Sequence, residues 1–423
     1  VHITILGAGV TGITSAWYLR QAGHSVTVID RRAGPGLETS YANGGQISVS
    51  HAEPWANPRA PLQLLRWLGR EDAPLLFRLR ADWQQWRWGC AFLRECTPAR
   101  LRHNIRQLVA LGNYSRAALR QLRAETGIQY DQLSRGILHF YTSPAAWRAA
   151  QQAAQLMREA GCTLDPKSAD ECVAIEPALA PFGERIAGGT YTPDDESGDA
   201  HRFTRELAAL CAARGVTFRY DTQVQALLRG RHNDIAGVRV CTPDGATETL
   251  TTDGWVICLG VHSAPLLRPL GVNLRIYPVK GYSVTLPVND PQRAYSVSLT
   301  DDEHKLVFSR LGERLRIAGT AEFTGYDTTL NHARCDAILR RTAELFPGAG
   351  DIGHAQLWAG LRPATPSNLP YIGSTRYANL YLNTGHGTLG WTQACGAGSA
   401  LASWLSGDAP EVAFNFCGKP PAH

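Results

Sequence analysis

Lysine is nearly missing from this chain: Lys167, Lys280, Lys305 and Lys419 are the only four among 42 basic residues. That bias toward arginine is compositional and assigns no function by itself. Long apolar runs are also missing. No stretch reaches eighteen uninterrupted apolar residues, so a membrane-spanning helix is not expected. The ten cysteines, at positions 90, 96, 162, 172, 211, 241, 258, 335, 395 and 417, contain no C-x-x-C pair and no regular framework. Reduced, structural thiols in a cytoplasmic protein are expected, and a disulfide scaffold is not. A cleavable leader is not expected either, because strand-like sequence starts at Val1. The four acids of Pro193-Asp194-Asp195-Glu196-Ser197-Gly198-Asp199 lack EF-hand spacing and precede a helix, which points to capping rather than to a metal.

Length and charge are ordinary. At 423 residues the chain can bury two cores, and its formal net charge is +5. The excess is local: between Arg59 and Arg106 ten arginines face Glu71, Asp72, Asp82 and Glu95. Trp67, Trp83, Trp86 and Trp88 share this stretch. Arginine and tryptophan on helices suit a membrane interface, but they equally suit a helical insert whose rings fill a core.

The most informative residues are the first thirty. Val1 to Leu6 is strand-like, Gly7-Ala8-Gly9-Val10-Thr11-Gly12 follows, a helical stretch runs to about Gly23, and Ser25-Val26-Thr27-Val28-Ile29 ends in Asp30. Strand, glycine turn, helix, strand and terminal acid form the βαβ unit that holds a dinucleotide. Gly7 makes the turn, Gly9 lets the backbone approach a pyrophosphate, and Gly12 lets the helix pack on the strand. Asp30 is expected to accept hydrogen bonds from ribose hydroxyls, which favours FAD or NAD over NADP, although Arg31 and Arg32 weaken that exclusion. The following loop, Arg31 to Ser48, is long and rich in Ser, Asn and Gly. Such a loop suits a cofactor that continues past the pyrophosphate to a flat polar ring.

Further along, helices are expected over 101–126 (exposed), 143–161, 168–176, 202–214 and 332–346, and strands over 136–141, 188–192 and 216–220. Asp253 to Gly260 is an apolar strand ending in glycine, a return to the nucleotide-binding sheet. The second domain is therefore inserted rather than appended. Residues 274–320 alternate as an antiparallel sheet able to floor a pocket. Finally, the strand Leu380–Thr384 enters Gly385-His386-Gly387-Thr388-Leu389-Gly390 and a small-residue helix, whose N-terminus can stabilise negative charge such as that of a reduced flavin.

On these residues the chain resembles the bacterial FAD-dependent D-amino acid dehydrogenases, within the wider group of glycine oxidase, D-amino acid oxidase and sarcosine oxidase flavoproteins. The resemblance runs nearly end to end. It rests on the Gly7-to-Asp30 fingerprint, Glu38-Thr39-Ser40 with Ala42-Asn43 and Gly45-Gln46-Ile47-Ser48, Lys280-Gly281-Tyr282-Ser283, Gly360-Leu361-Arg362-Pro363, and Asn383 to Thr392. It implies an α/β protein: a Rossmann-like FAD-binding domain of glutathione-reductase type (1–58, 193–270, 351–423) with an inserted α+β substrate domain on an antiparallel sheet (59–192, 271–350). It implies oxidation of a D-amino acid to a 2-oxo acid and ammonia, electrons passing to a quinone-linked acceptor. An enzyme that serves membrane quinone needs a route to the bilayer, so peripheral contact with the cytoplasmic face of the inner membrane is expected. Nucleic acid and metal are not.

Carried onto this chain, the resemblance makes Arg362 the carboxylate clamp, Tyr282 a second contact to carboxylate or amine, and His386 a flavin-edge residue rather than a general base. FAD would be held by Gly7, Gly9, Gly12, Asp30, Arg31, Ser40, Asn43, Gly45, Gln46, Val224, Gly260, Gly385, Gly387, Thr388, Leu389 and Gly390. Two other readings stay open. One is a cyclic or N-substituted substrate such as D-proline, hydroxy-D-proline or sarcosine, with residues around His51 and Trp55 deciding. The other is a non-catalytic FAD-binding subunit, against which the Arg362–Tyr282 pair argues.

Overall fold

The computed structural model describes residues 1–67, 75–78 and 80–421. Arg70, Glu71 and Asp72 of the basic stretch, and the side chain of Trp67, lie outside the described residues. Among those described, one sheet has the order β19 (Tyr371–Ser374), β20 (Leu380–Thr384), β13 (Gly254–Ile257), β1 (His2–Leu6), β2 (Ser25–Ile29), β9 (Thr217–Arg219). All but β19 run parallel. The return expected at Asp253–Gly260 is β13, hydrogen-bonded beside β1.

Parallel strands covered on both faces are continuously apolar, and Ile3 to Leu6 and Gly254 to Ile257 are accordingly buried. One face packs on the helices Val10–Gln21, Ala200–Ala213 and Gly390–Leu405 through Ile13, Trp17, Phe203, Ala394 and Leu401. The other packs on a three-stranded sheet, β10 (Gln223–Arg229), β11 (Ile235–Cys241) and β12 (Thr247–Leu250), through Leu227, Val238 and Val240. Small residues bring helices together. Thr14 Oγ1 donates to the Ala394 carbonyl at 2.8 Å, and a Cβ on Gly398 would lie 2.8 Å from the Thr14 backbone.

The second sheet has the order β18 (Gln356–Ala364), β14 (Tyr277–Pro287), β17 (Arg314–Phe323), β16 (Leu306–Leu311), β15 (Ser298–Asp301), β5 (Ile137–Tyr141), β7 (Gly188–Thr192), β6 (Asp165–Lys167), with β4 (Leu75–Phe77) also on β17. It is antiparallel except where β15 meets β5 and β17 meets β4. One face, with Tyr282, Val284, Leu286, Phe308 and Ile317, packs on Cys335, Ile338 and Leu345 of the helix His332–Leu345. The opposite face receives the 43–50 loop. A Cβ on Gly44 would lie 2.5 Å from Val307, and β3 (Gln46–Ile47) pairs with β8 (Glu196–Ser197).

Two elements cross the segment boundaries read from the sequence. β18 pairs with β14 from end to end, so Arg362 stands on the second sheet, although 351–423 reads as part of the first. The helix Pro98–Thr126 sits against Gly390–Leu405 rather than in the open: Ile105, Leu108, Leu111, Ser115, Leu119 and Leu122 recur at helical spacing and are buried. Gly396 makes room for Ser115 there, since its Cβ would come within 2.7 Å.

The acids of 194–199 are structural. Asp195 accepts from the Val49 and Ser50 amides and faces Arg116, Glu196 pairs with Arg120 and Arg123, and Asp199 caps Ala200–Ala213. Among the described residues no cluster of His, Cys, Asp and Glu is suited to a metal ion, and no helix is long and apolar enough to cross a membrane. All ten cysteines are free.

Candidate active site

A cleft of about 400 Å³ opens where β1, β2 and β13 end. Its lining includes Gly7, Gly9, Asp30, Arg31, Ser40, Val224 and Gly260 on one stretch, and Gly385, His386, Gly387 and Gly390 at the other end. The first turn explains its shape. A Cβ on Gly12 would stand 1.9 Å from the Gly7 carbonyl oxygen, so glycine there lets the helix Val10–Gln21 seat directly on the turn with its N-terminus at the cleft. Gly9 occupies the N-cap, and Ser40 Oγ accepts from the Val10 amide at 3.1 Å.

Asp30 receives the Ala8 amide at 2.6 Å and the Arg32 amide at 2.8 Å. Burial raises its pKa despite those donors. Its neighbours Arg31 and Arg32 are both committed to Glu38, at 2.5 and 2.9 Å. The two cations that could have gripped a ribose phosphate are thus already paired.

Strand register sorts the second-sheet candidates onto two faces. Opposed residues of an antiparallel pair share a face, and successive residues alternate. Arg362 opposes Val279, Gly360 opposes Gly281 and Tyr282 opposes Ala359, so Arg362 lies on the face of Gly281 while Tyr282 lies on the other. Arg362 crosses Gly281 so closely that a Cβ there would be 2.3 Å from Cζ, and its Nη1 donates to the Thr320 carbonyl at 2.8 Å. No acid pairs with it among the described residues. Burial alone lowers its pKa to about 10, which leaves it cationic. The residue nonetheless keeps partial exposure. The ion pair that would make Arg362 merely structural is absent among the described residues.

Tyr282 is corrected by the same register. It is 1 % exposed within the core beneath the sheet, and its hydroxyl donates to Glu322 at 2.5 Å. It does not share a face with Arg362, and the expected second contact to substrate is not there. Asn43, Gly45 and Gln46 do not line the cleft either. Gln46 spends its amide on Ser298, Leu299 and Thr300, and the Asn43 side chain accepts from the Gly45 amide. These residues fasten the loop to the second sheet. Gly12, Thr388 and Leu389 also stand off the cleft, Leu389 being buried against Val49 and Leu108.

His386 does line it. The ring is 3 % exposed, Nε2 has no partner, and burial pushes its pKa down to about 3. A neutral imidazole with an orphaned buried nitrogen, at the N-terminus of Gly390–Leu405, is suited to a polar edge of a bound ring. Glycine cradle, helix N-terminus, acid at the end of β2 and orphaned His386 nitrogen together fit a dinucleotide carrying a second ring.

The sequence profile of FAD dependent oxidoreductases matches residues 2–404. The chain belongs to that family. Within the FAD dependent oxidoreductases, the D-amino acid dehydrogenase of Dechloromonas aromatica (strain RCB) is 56% identical over 416 residues, 98% of this chain and 99% of that one. The D-amino acid dehydrogenase of Paramagnetospirillum magneticum is 53% identical, over 99% and 98% of the two chains. The solved glycine oxidase of Bacillus cereus ATCC 14579 superposes with a TM-score of 0.73 at 22% identity, over 96% of this chain and 95% of that one, a likeness of fold. Members of this family use FAD, and the glycine turns, Asp30 and the helix N-terminus that line the cleft suit such a group.

Several participants escaped the sequence reading. Thr320 carries a φ of +55°, rare for a β-branched residue, and gives Arg362 its only protein acceptor among the described residues. Glu322, which anchors Tyr282, Arg78 and Lys280 from below, carried no motif. Gly281 sat inside one, but its partner Arg362 is 81 residues away in sequence.

Proposed function

We infer that this chain is an FAD-dependent dehydrogenase that oxidises D-amino acids to 2-oxo acids and ammonia, with a quinone-linked acceptor for the electrons. Arg362 carries the reading. A largely enclosed guanidinium without a carboxylate partner is costly unless an anion completes it, and a substrate carboxylate matches its fork. The curated relatives at 56% and 53% identity are D-amino acid dehydrogenases over their whole length. A subunit that merely stored FAD would have no use for this clamp.

In this reading Arg362 fixes the substrate carboxylate and with it Cα, Gly281 leaves the guanidinium room, and Thr320 holds its far side in place. Bound FAD supplies the acceptor for the hydride from Cα. Neutral His386 contributes a hydrogen-bonding edge and no proton transfer near neutral pH, so the chain's work is orientation and charge. Gly7, Gly9, Asp30, Arg31, Ser40, Val224, Gly260 and the Gly385–Gly390 turn would hold the cofactor. We read the first sheet as a Rossmann-like domain of glutathione-reductase type and the second as the inserted substrate domain, with β18 contributed across the boundary.

The test is the visible spectrum of the anaerobic protein with D-alanine, L-alanine, D-proline or sarcosine. Bleaching by D-alanine and not L-alanine is expected. Bleaching only by D-proline or sarcosine would replace the substrate class.

Peripheral membrane contact has one specific support. Trp83 and Trp86 are 71% and 49% exposed, and Arg87 and Arg94 share their helix, Trp83–Glu95. Trp88 instead fills the core. Flotation with anionic liposomes at low salt, lost on Trp83→Ser with Trp86→Ser, is the expected result, and no flotation at any salt would refute it.

A further inference from the structure

Two glycines face each other beside the clamp. Gly281 on β14 opposes Gly360 on β18, so side chains at both positions would stand on the same face of the sheet. Each space is taken by a neighbour instead. A Cβ on Gly281 would lie 2.3 Å from Arg362 Cζ, and one on Gly360 would lie 2.0 Å from Cη2 and 2.4 Å from Cζ2 of Trp358. Opposed side-chain positions of an antiparallel pair are about 5 Å apart, so the guanidinium and the benzo edge of the indole lie side by side over the glycine pair.

Nothing in the core accounts for Trp358 at this place. Its sequence neighbours Leu357 and Ala359 point the other way and pack on the core beneath the sheet, whereas Trp358 is half-buried and belongs to none of the apolar clusters among the described residues. The surroundings of the glycine pair are covered on two sides. Toward the start of β14, Val279 packs with Trp88 and Phe323. Over β16 and β17 the 43–50 loop lies on Val307 and Ala318 through Gly44, whose carbonyl accepts from Ser309 Oγ at 2.7 Å. On the third side β18 is the edge strand and meets the cofactor cleft. Thr39 Oγ1 donates to the Leu361 carbonyl at 2.8 Å and the Gly387 amide to the Pro363 carbonyl at 3.0 Å, and Thr39, Pro363 and Gly387 all line that cleft. A substrate held by Arg362 at the edge of the cleft therefore has the indole for a neighbour.

We propose that Trp358 is a specificity-determining residue, its indole being the surface on which the side chain of an apolar D-amino acid packs while Arg362 holds the carboxylate. The proposal rests on the D-amino acid reading and narrows it. The charges on the sheet decide the substrate class. On this face β14, β17 and β18 carry no acid, because Glu322 points to the other face, where it holds Tyr282 and Lys280. These strands offer a cationic side chain no partner, whereas an apolar one gains by leaving water against an aromatic ring.

The experiment measures kcat and KM of the holoenzyme, Trp358→Ala and Trp358→Phe with D-alanine, D-norleucine and D-lysine, the last two sharing a four-carbon chain and differing at its terminal ammonium. The wild type is expected to favour D-norleucine over D-lysine by about tenfold or more in kcat/KM. Trp358→Ala should raise KM for D-norleucine about tenfold and for D-alanine about threefold or less, with kcat kept, and Trp358→Phe should recover most of the loss. Gly360→Ala, whose methyl displaces the ring, should act in the same direction and decides the matter if Trp358→Ala does not fold. Flavin absorbance checks that each variant is folded and loaded. If the variants shift KM for D-alanine and D-norleucine by the same factor, if they change only the affinity for FAD, or if D-lysine is oxidised as well as D-norleucine, the assignment is overturned and the D-amino acid reading stands. If no D-amino acid bleaches the flavin, both are overturned.

Discussion

Arg362 Nη1 donates to the carbonyl of Thr320 at 2.8 Å, and Thr320 holds a φ of +55° while it accepts. A β-branched residue in that region costs about 1–3 kcal/mol. The strain sits at a bulge, since the β14–β17 register shifts between Lys280 and Tyr282, and the bulge turns the Thr320 carbonyl toward the guanidinium. One Nη nitrogen is tied down while the remaining donors are left for a ligand. Replacing the fork by a point charge, Arg362→Lys, should cost about 3 kcal/mol of substrate binding, roughly 100-fold in kcat/KM, with the flavin spectrum unchanged. Steady-state kinetics with D-alanine checks this, and a loss below threefold would remove Arg362 from the site.

Gly281 is the space beneath that side chain. A Cβ at 2.3 Å from Cζ would push the guanidinium off the strand, yet the displaced atoms end a flexible side chain and the core below is untouched. Gly281→Ala should therefore raise KM at least tenfold while leaving thermal stability within about 1 kcal/mol. Equal damage to KM and to stability would mean that the sheet itself had been disturbed.

Gly12 is different in kind, because its missing Cβ would meet backbone, the Gly7 carbonyl at 1.9 Å. Neither side can yield without lifting the helix Val10–Gln21 from β1. Gly12→Ala should give a colourless protein destabilised by about 3 kcal/mol or more. A yellow Gly12→Ala protein with unaltered melting would contradict the cradle.

Much of this was readable beforehand, and the exceptions have causes. The βαβ turn, the return at β13 and the Gly385–Gly390 turn announce themselves because each needs residues that few other contexts require. Tyr282 could not be placed, because β14 is buried along ten of its eleven residues, so the alternation read over 274–320 does not say which of two covered faces meets a ligand. Only the partner strands tell which face is covered by the helix His332–Leu345. Gln46 and Asn43 looked like flavin contacts in a polar loop, but amide side chains satisfy a sheet edge equally well. The pattern that buries Pro98–Thr126 is present at Ile105, Leu108, Leu111 and Leu119, masked by six arginines along the helix, of which Arg100, Arg102, Arg106 and Arg120 are exposed.

His386 offers a test through pH. Burial places its pKa near 3, so it stays neutral above about pH 4 and cannot be the group whose ionisation shapes activity near neutrality. His386→Asn should keep the acidic limb of the kcat/KM profile at the same pH and move instead the affinity for FAD. Loss of that limb would restore His386 as a base.

Glu196 links stability to the site, because β8 pairs with β3 and β3 carries the loop over the second sheet. Burial raises the Glu196 pKa, but hydrogen bonds from Arg123 and Arg120 outweigh it and hold the carboxyl below its ordinary value. A carboxyl depressed in the folded state contributes stability above its unfolded pKa of about 4.3, and that contribution is lost as pH falls through the folded value. Glu196→Gln leaves Arg123 and Arg120 facing a neutral group and should cost about 3 kcal/mol at pH 7. As pH falls below about 4.3 toward the lower folded value, the wild type loses this contribution, so the two proteins should converge. Urea unfolding of both between pH 3 and 7 measures the difference directly. A gap that stays constant across that range would show that Glu196 acts through packing and not through its charge.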